Sequence, residues 1–438
     1  MLPIAIPSYI MTYTYSDFFS YTGGFYIIQN LFGISSEQYI KFNFFNEINL
    51  VIILSLALYP YLYIALRAYF TSLPEHLINT ARNLKIVNFN FAFKILLPLS
   101  RPAIVGGLFL IIMEILNEYG AVKYFGINTF TVGIFKVWLG MGSLESALNL
   151  SIYLFLLVSL LLFLDYILKG NKIFEFSRTN KKHSVQNLSL SSKIYSSIFL
   201  SLISIFAFIL PVILIIQNSV SLSNYSYYSE IGIIVFNSLM LSFITSIIIV
   251  FISIILIYSN ILNNFKSTKL ITKIATSGYA IPGAVIAISC IVVFSYIDKN
   301  ILNYFSILIS STIYILIFAL VIRFIAVSYN TINGGFESLG SQYDKTYRSI
   351  GNRPLKSLFK INLPILKPTI ISAFILTFVD ITKELPLTLI LRPFNFDTLA
   401  TRTFDFAGDE MLKEASLPAL IIIIIGVIPI IFFNKLKK

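Results

Sequence analysis

Apolar residues in this chain gather into long runs, and the polar residues collect between them. Ten runs stand out, over residues 2–19, 48–69, 99–118, 146–168, 194–217, 231–258, 270–297, 302–330, 366–388 and 416–434. Several reach the roughly 20 residues that an α-helix needs to cross the hydrocarbon of a bilayer. The pattern predicts an all-α polytopic membrane protein with ten crossings. The first run is the weakest, being rich in Tyr, Ser and Thr and holding Pro3 and Pro7.

Composition sharpens this reading. Hydrophobic residues make up 57% and charged residues 12% of the 438 residues, and mean hydropathy is +0.84. A soluble domain carries about a quarter charged residues, and no soluble domain of useful size fits between the runs. The net charge of +12 does not point to nucleic acid, because Lys and Arg sit in alternate connections. After the second run come Arg82, Lys85 and Lys94; after the fourth, Lys169, Lys172, Arg178, Lys181 and Lys182. After the sixth come Lys266, Lys269 and Lys273; after the eighth, Lys345, Arg348, Arg353, Lys356 and Lys360. The tail adds Lys435, Lys437 and Lys438, while residues 217–230 hold no Lys or Arg. Since cytoplasmic loops carry the excess of basic residues, both termini are expected in the cytoplasm. The single cysteine, Cys290, excludes an intramolecular disulfide. His76 and His183 are far apart, so no metal site is assigned, and no basic stretch precedes the first run as a cleavable leader requires.

The same polar punctuation occurs twice. Residues 97–103 read LPLSRPA and residues 363–369 read LPILKPT, a Leu-Pro step followed three residues later by a basic residue and a second proline. Proline is tolerated in a helix's first turn, so each copy is read as closing a basic loop and starting the next membrane helix. Shifted by 266 residues, 80–118 aligns with 346–384 without a gap. The identities include Thr80/Thr346, Arg82/Arg348, Lys94/Lys360, Pro98/Pro364, Pro102/Pro368 and Glu118/Glu384. Chance matching of apolar runs yields Leu and Ile identities, not paired Arg, Lys, Pro and Glu. The chain is therefore read as an internal duplication whose copies share one orientation, a parallel repeat about an axis along the membrane normal. The first half covers 1–168 with about four membrane helices, a cytoplasmic linker covers 169–193, and the second half covers 194–438 with about six. Ala5-Ile6-Pro7 matches Ala280-Ile281-Pro282, so the first half starts where the second is already at its third helix. The expectation is that the first half lacks two N-terminal helices, with Met1 a truncated or misassigned start.

Acidic residues near the ends of the third and ninth runs are candidates for the transport path or its gate. Glu114 and Glu118 are four apart and share a helix face, and Asp380 and Glu384 repeat the arrangement. Counted from Pro102 at about 1.5 Å per residue, positions 114 and 118 lie roughly 18 and 24 Å along the helix, towards the periplasmic side. Intramembrane carboxylates are costly and face a cavity or a partner. Four of them converging would form a negative ring suited to a cation. Lys383 beside Glu384, with Lys123 and Arg392 near in sequence, leaves two other readings open: contact with a partner protein, and plain structural ion pairs. The Glu384-Leu385-Pro386 step is expected to break the helix.

Two resemblances bear on function. The segments before each Leu-Pro resemble the EAA loop of ABC importer permeases, here spanning 72–98 and 337–364. Gly351, Ile361, Leu363 and Pro364 hold its spacing, as do Ile95, Leu97 and Pro98, with Lys85 where glycine is expected. The Glu-Ala-Ala itself is degenerate, reading Asn79-Thr80-Ala81 and Lys345-Thr346-Tyr347. The string DITKELPLTLILRPFNFDTLATRTF at 380–404 and EILNEYGAVKYFGINTFTVGIFKVWLGMG at 114–142 are similar to the ferric-iron permeases of that class, which fuse two permease halves in one chain.

The resemblance implies the type I ABC importer transmembrane fold in the bacterial inner membrane, ferric iron as cargo, and a periplasmic binding protein as donor. Relatives for thiamine, phosphonate or polyamine share the architecture. It also implies docking of a homodimeric ATPase, by helix in groove, on Thr80, Ala81, Arg82, Leu84 and Lys85 and on Thr346, Tyr347, Arg348, Ile350 and Gly351. No G-x-x-x-x-G-K-[ST] occurs in the chain, so ATP and Mg belong to the partner. The chain is expected to be no enzyme and to hold no cofactor. The rival reading is a secondary transporter driven by an ion gradient, which also uses paired repeats.

Overall fold

The structure, a computed structural model, describes residues 2–21, 23–33, 43–73, 88–169, 190–221, 225–262, 265–302, 308–339, 349 and 353–436. Among these residues every regular element is a helix. Among the described residues, eight helices are long and apolar enough to cross a membrane: Glu47–Thr71, Leu144–Asp165, Leu190–Val220, Glu230–Leu262, Gly283–Ile301, Ile313–Leu339, Pro354–Thr382 and Leu412–Ile431. A ninth is added if Phe93–Leu99 and Arg101–Asn117, bent by 57° at Ser100, count as one span.

Two of the ten expected runs differ from expectation among the described residues. The run over 2–19 is divided by Pro7 into a 3-10 turn at Leu2–Ala5 and a helix of 12 residues at Ser8–Phe19, which at about 1.5 Å per residue falls short of a bilayer. The run over 270–297 is divided in the same way. Lys266–Thr276 is a separate helix bearing the three lysines, and after Pro282 the apolar helix begins at Gly283. Ile-Pro resets the helix in both places because the residue before proline is driven out of the α region.

The Leu-Pro motifs also differ from expectation. Each is preceded by a wide π-turn, at Ala92–Leu96 in the first copy and Leu358–Asn362 in the second, in the 266-residue register. Pro98 and Pro364 have no N–H to offer the carbonyls of Lys94 and Lys360 four residues earlier, and the helix widens there. In the second copy the helix then continues as Leu363–Thr382, so Pro364 lies within a longer helical segment and does not begin it. In the first copy it bends at Ser100.

The described residues form two compact units. Unit 1 comprises 1–118 and 156–214. Its centre is the pair Glu47–Ser72 and Arg101–Asn117, the first capped by the Asn46 side chain, which accepts from the Asn49 N–H at 2.9 Å. Gly107 lets these helices approach, since a Cβ there would stand 2.8 Å from Leu62 Cδ1 and 3.1 Å from Leu62 Cα; small residues serve this purpose between membrane helices. Tyr69 donates to the Leu99 carbonyl at 2.6 Å, and Tyr15 donates to that of Phe206.

Unit 2 comprises 119–155 and 215–438. Tyr225–Leu262, Ile313–Leu339 and Leu363–Thr382 pack together around Ile257, Tyr258, Ile332, Phe336, Leu366 and Ala373. Tyr225–Leu262 turns a face of small residues inward, with Ser238, Ser242, Thr245, Ser246 and Ser253 all buried. Two of these hydroxyls bridge to other elements: Ser242 accepts from Thr382 at 3.1 Å, and Ser238 accepts from the Leu399 N–H at 2.6 Å.

Candidate functional site

The acidic residues read from the sequence lie at helix ends. In unit 1, Glu114 is half-buried on Arg101–Asn117, and Glu118 follows its last turn. Glu118 accepts a hydrogen bond from the hydroxyl of Ser8, the first residue of the Ser8–Phe19 helix. In unit 2, Lys383 Nζ stands 2.8 Å from Asp380 Oδ1 on the turn that ends Leu363–Thr382. Lys383 thus pairs with Asp380, three residues back, and not with its neighbour Glu384, because three residues along a helix bring side chains onto one face.

Glu384 takes a partner that sequence reading did not reach. Its carboxylate accepts from the N–H groups of Leu387 and Thr388 at 3.2 and 3.1 Å and from the Thr388 hydroxyl at 3.2 Å. It thereby caps the short Pro386–Leu391 helix, where a carboxylate meets the exposed N–H groups of the first turn. The break expected at Glu384-Leu385-Pro386 is where the long helix ends. Across from it, Arg323 Nε lies 3.8 Å from Glu384 Oε1, with the two side chains 4% and 3% exposed. Arg323 sits in the middle of an apolar helix, Ile313–Leu339. A lone Arg among apolar residues was the available signal, since a charge inside a span implies a buried partner.

Lys123 and Arg392 do not reach these acids. Lys123 Nζ lies 5.5 Å from the centroid of the Tyr119 ring and 5.1 Å from that of Phe404, in the range of cation–π attraction. Arg392 is held between Asp397 and Asp405, at 3.0 Å from Asp405 Oδ2. Burial pushes the Asp405 carboxyl above the ordinary carboxylate range; Arg392 opposes that shift, Asp397 adds to it and Arg402 opposes it. These groups line a cavity of about 730 Å³ in unit 2, with Tyr119, Lys123, Ser295, Ser310, Arg392 and Asp405 on its wall. At its rim, residues 392–397 make a turn whose tip, Phe394, is 98% exposed. Asn395 adopts φ 59° there, and the Phe396 N–H bonds the Pro393 carbonyl at 3.2 Å.

The duplication is visible in local geometry. Tyr119 (φ −114°, ψ −50°) and Leu385 (φ −112°, ψ −58°), 266 residues apart, share one backbone conformation before a short helix. Thr129 and Thr398 each cap the next helix by accepting a backbone N–H. The residues expected to dock an ATPase, 80–85 and 346–351, lie outside the described residues apart from Ser349, as do His76, His183 and most of the linker. Among the described residues no cluster of His, Cys, Asp and Glu is arranged to hold a metal ion.

Comparison with known proteins matches this duplicated pattern. One family profile, that of the inner membrane component of binding-protein-dependent transport systems, matches residues 1–170 and 257–437. The Fe(3+)-transport system permease protein FbpB 2 of Haemophilus influenzae is 26% identical over 389 residues, covering 87% of this chain and 75% of that protein. The matched segments fall on both copies of the repeat, and the chain belongs to the family of inner membrane components of binding-protein-dependent transport systems.

Proposed function

We propose that this chain is the membrane body of an ATP-driven importer that receives ferric iron from a periplasmic binding protein. The observation that carries this reading is the similarity to an Fe(3+)-transport permease along 87% of the chain. The oxygen-bearing side chains on the wall of the unit 2 cavity, Tyr119, Asp397 and Asp405, suit a hard cation in transit. Arg392 shields both carboxylates, so the wall offers passage and not a tight chelating site.

The binding protein meets the end of the body that carries Phe394. The Leu363–Thr382 helix of 20 residues separates that end from Lys356 and Lys360, and basic residues mark the cytoplasmic side. A braced turn with an exposed aromatic tip is suited to anchor a partner. At the cytoplasmic end, the segments around Thr80–Lys85 and Thr346–Gly351 seat a separate ATPase, one subunit per copy of the repeat. ATP-driven approach of those subunits moves the docking segments and rocks the two halves.

The test is reconstitution of the chain in liposomes with its ATPase and binding protein, followed by uptake of radioactive ferric iron. Uptake that needs all three components and ATP is expected. Uptake of thiamine, a phosphonate or a polyamine in place of iron would reassign the cargo, and uptake driven by an ion gradient without the ATPase would overturn the mechanism.

A further inference from the structure

Each unit contains one helix that starts abruptly after Ala-Ile-Pro, and the two starts are built alike. The Ile6 N–H bonds the Pro3 carbonyl at 3.0 Å, and the Met11 N–H bonds that of Pro7 at 3.1 Å. Their counterparts in unit 2 are Ile281 to Gly278 at 3.2 Å and Ile286 to Pro282 at 3.2 Å. In both units the carboxylate that ends the duplicated segment, Glu118 or Glu384, comes to the residue after the proline. That residue is Ser8 in unit 1, which donates its hydroxyl to Glu118. It is Gly283 in unit 2, where a Cβ would stand 2.9 Å from Glu384 Oε1 and 3.3 Å from an Arg323 terminal nitrogen.

The second difference lies on the neighbouring long helix. Arg323 corresponds to Ala57 in the 266-residue register, and that register holds in three dimensions. Leu50 and Leu316, Leu54 and Leu320, and Leu58 and Phe324 are buried in both units, as are Ala57 and Arg323 themselves. Arg323 donates to the Ile281 carbonyl at 3.0 Å. The N–H groups of Val285 and Ile286 both turn to the Pro282 carbonyl, at 3.0 and 3.2 Å, so the break leaves the Ile281 carbonyl outside the helical ladder. Backbone freed inside a membrane protein needs such a partner. Arg323 therefore satisfies the carbonyl that the proline break released and neutralises the carboxylate that abuts the new helix. Only a residue without a side chain leaves room for both.

We infer that Arg323 is a positioning residue for transport, latching the Ile281–Pro282 break to Glu384, and that the pairs Gly283 with Arg323 and Ser8 with Ala57 are exchangeable solutions to one packing problem. Neither residue of a pair is exchangeable alone. Arginine removed from unit 2 leaves Glu384 buried without its cation, and serine introduced beside the arginine collides with the carboxylate. Changed together, Gly283→Ser and Arg323→Ala reproduce in unit 2 the arrangement that unit 1 already uses.

The experiment compares R323A, G283S and the double variant in the complete chain, with amide hydrogen exchange at 283–288 and cargo uptake by the assembled transporter as readouts. R323A is expected to speed exchange at 283–288, since removal of one partner from a buried ion pair is destabilising, and to lower uptake by about tenfold or more. G283S should change both in the same direction, and the double variant should return uptake to within about threefold of the parent. Should R323A fail to accumulate in the membrane, accumulation itself becomes the readout, and the double variant should recover it. A double variant no better than R323A overturns the inference, as does an R323A protein with unchanged exchange. Exchange and accumulation do not depend on the cargo, so a parent protein that carries no iron would sink the proposed function and leave the latch standing.

Discussion

Ser8 donates its hydroxyl hydrogen to Glu118, joining two residues 110 positions apart in the chain. The bond ties the start of the Ser8–Phe19 helix to the end of Arg101–Asn117. A hydrogen bond to a charged group is worth about 1.5–3 kcal/mol. Ser8→Ala should therefore lower the thermal midpoint of the purified protein, while Ser8→Thr, which keeps the hydroxyl, should lower it less. Equal midpoints for Ser8→Ala and the parent would show that the bond does not hold unit 1.

Phe394 stands 98% exposed at the tip of a turn braced by Arg392 and Asp397. Truncation of an aromatic anchor costs about 2 kcal/mol or more. Phe394→Ala should raise the binding-protein concentration for half-maximal uptake by about tenfold or more and leave the ATPase rate without binding protein unchanged. An unchanged half-maximal concentration would remove this turn from the contact.

The Asp405 carboxyl is raised chiefly by burial, lies outside the spans and is half-buried beside Arg392. An acid with a raised folded-state value binds its proton more tightly in the folded protein than in the unfolded one. Its stabilising contribution is present below the ordinary carboxylate value of about 4 and is lost as pH rises from there through the raised value. Asp405→Asn cannot titrate. The midpoint of the parent minus that of the variant should therefore shrink as pH rises above about 4; a difference that grows as pH rises contradicts the burial effect.

Gly107 has no room for a side chain against Leu62. Gly107→Val should push Glu47–Ser72 from Arg101–Asn117 and cost about 1–3 kcal/mol, read as a lower midpoint of the purified protein. Gly107→Ala should lie between. A valine variant as stable as the parent would mean that these helices do not depend on close approach.

Gly351 belongs to the second docking segment inferred from the sequence. Gly351→Arg should leave membrane insertion intact and uncouple ATP hydrolysis from uptake, since a bulky cation would enter the groove that receives the segment. Normal uptake by this variant would show that docking lies elsewhere.

Much of the fold is legible in residue order. Apolar runs of about 20 residues located nearly all of the spans, and paired prolines, lysines and a glutamate at a 266-residue spacing exposed the duplication. The helices within 2–19 and 270–297 begin later than hydropathy predicts, for one reason. Hydropathy is summed over a window and is blind to where a proline divides it, so Pro7 and Pro282 were counted inside spans that they interrupt. The carboxylates are legible because charge in an apolar setting is conspicuous, but nearness in sequence does not decide their partners. Lys383 serves Asp380, and Arg392 serves Asp397 and Asp405. Glu384 is answered by Arg323, on a different helix.

Residue order alone determined that this chain lives in a membrane, that it carries one design twice and where its charges fall, because solvation by lipid and duplication both act locally along a polymer. Tertiary structure decided which charge neutralises which, and why a glycine follows one proline and a serine the other. Those outcomes depend on packing between helices far apart in the chain, where a single Cβ at residue 283 would stand 2.9 Å from a carboxylate oxygen.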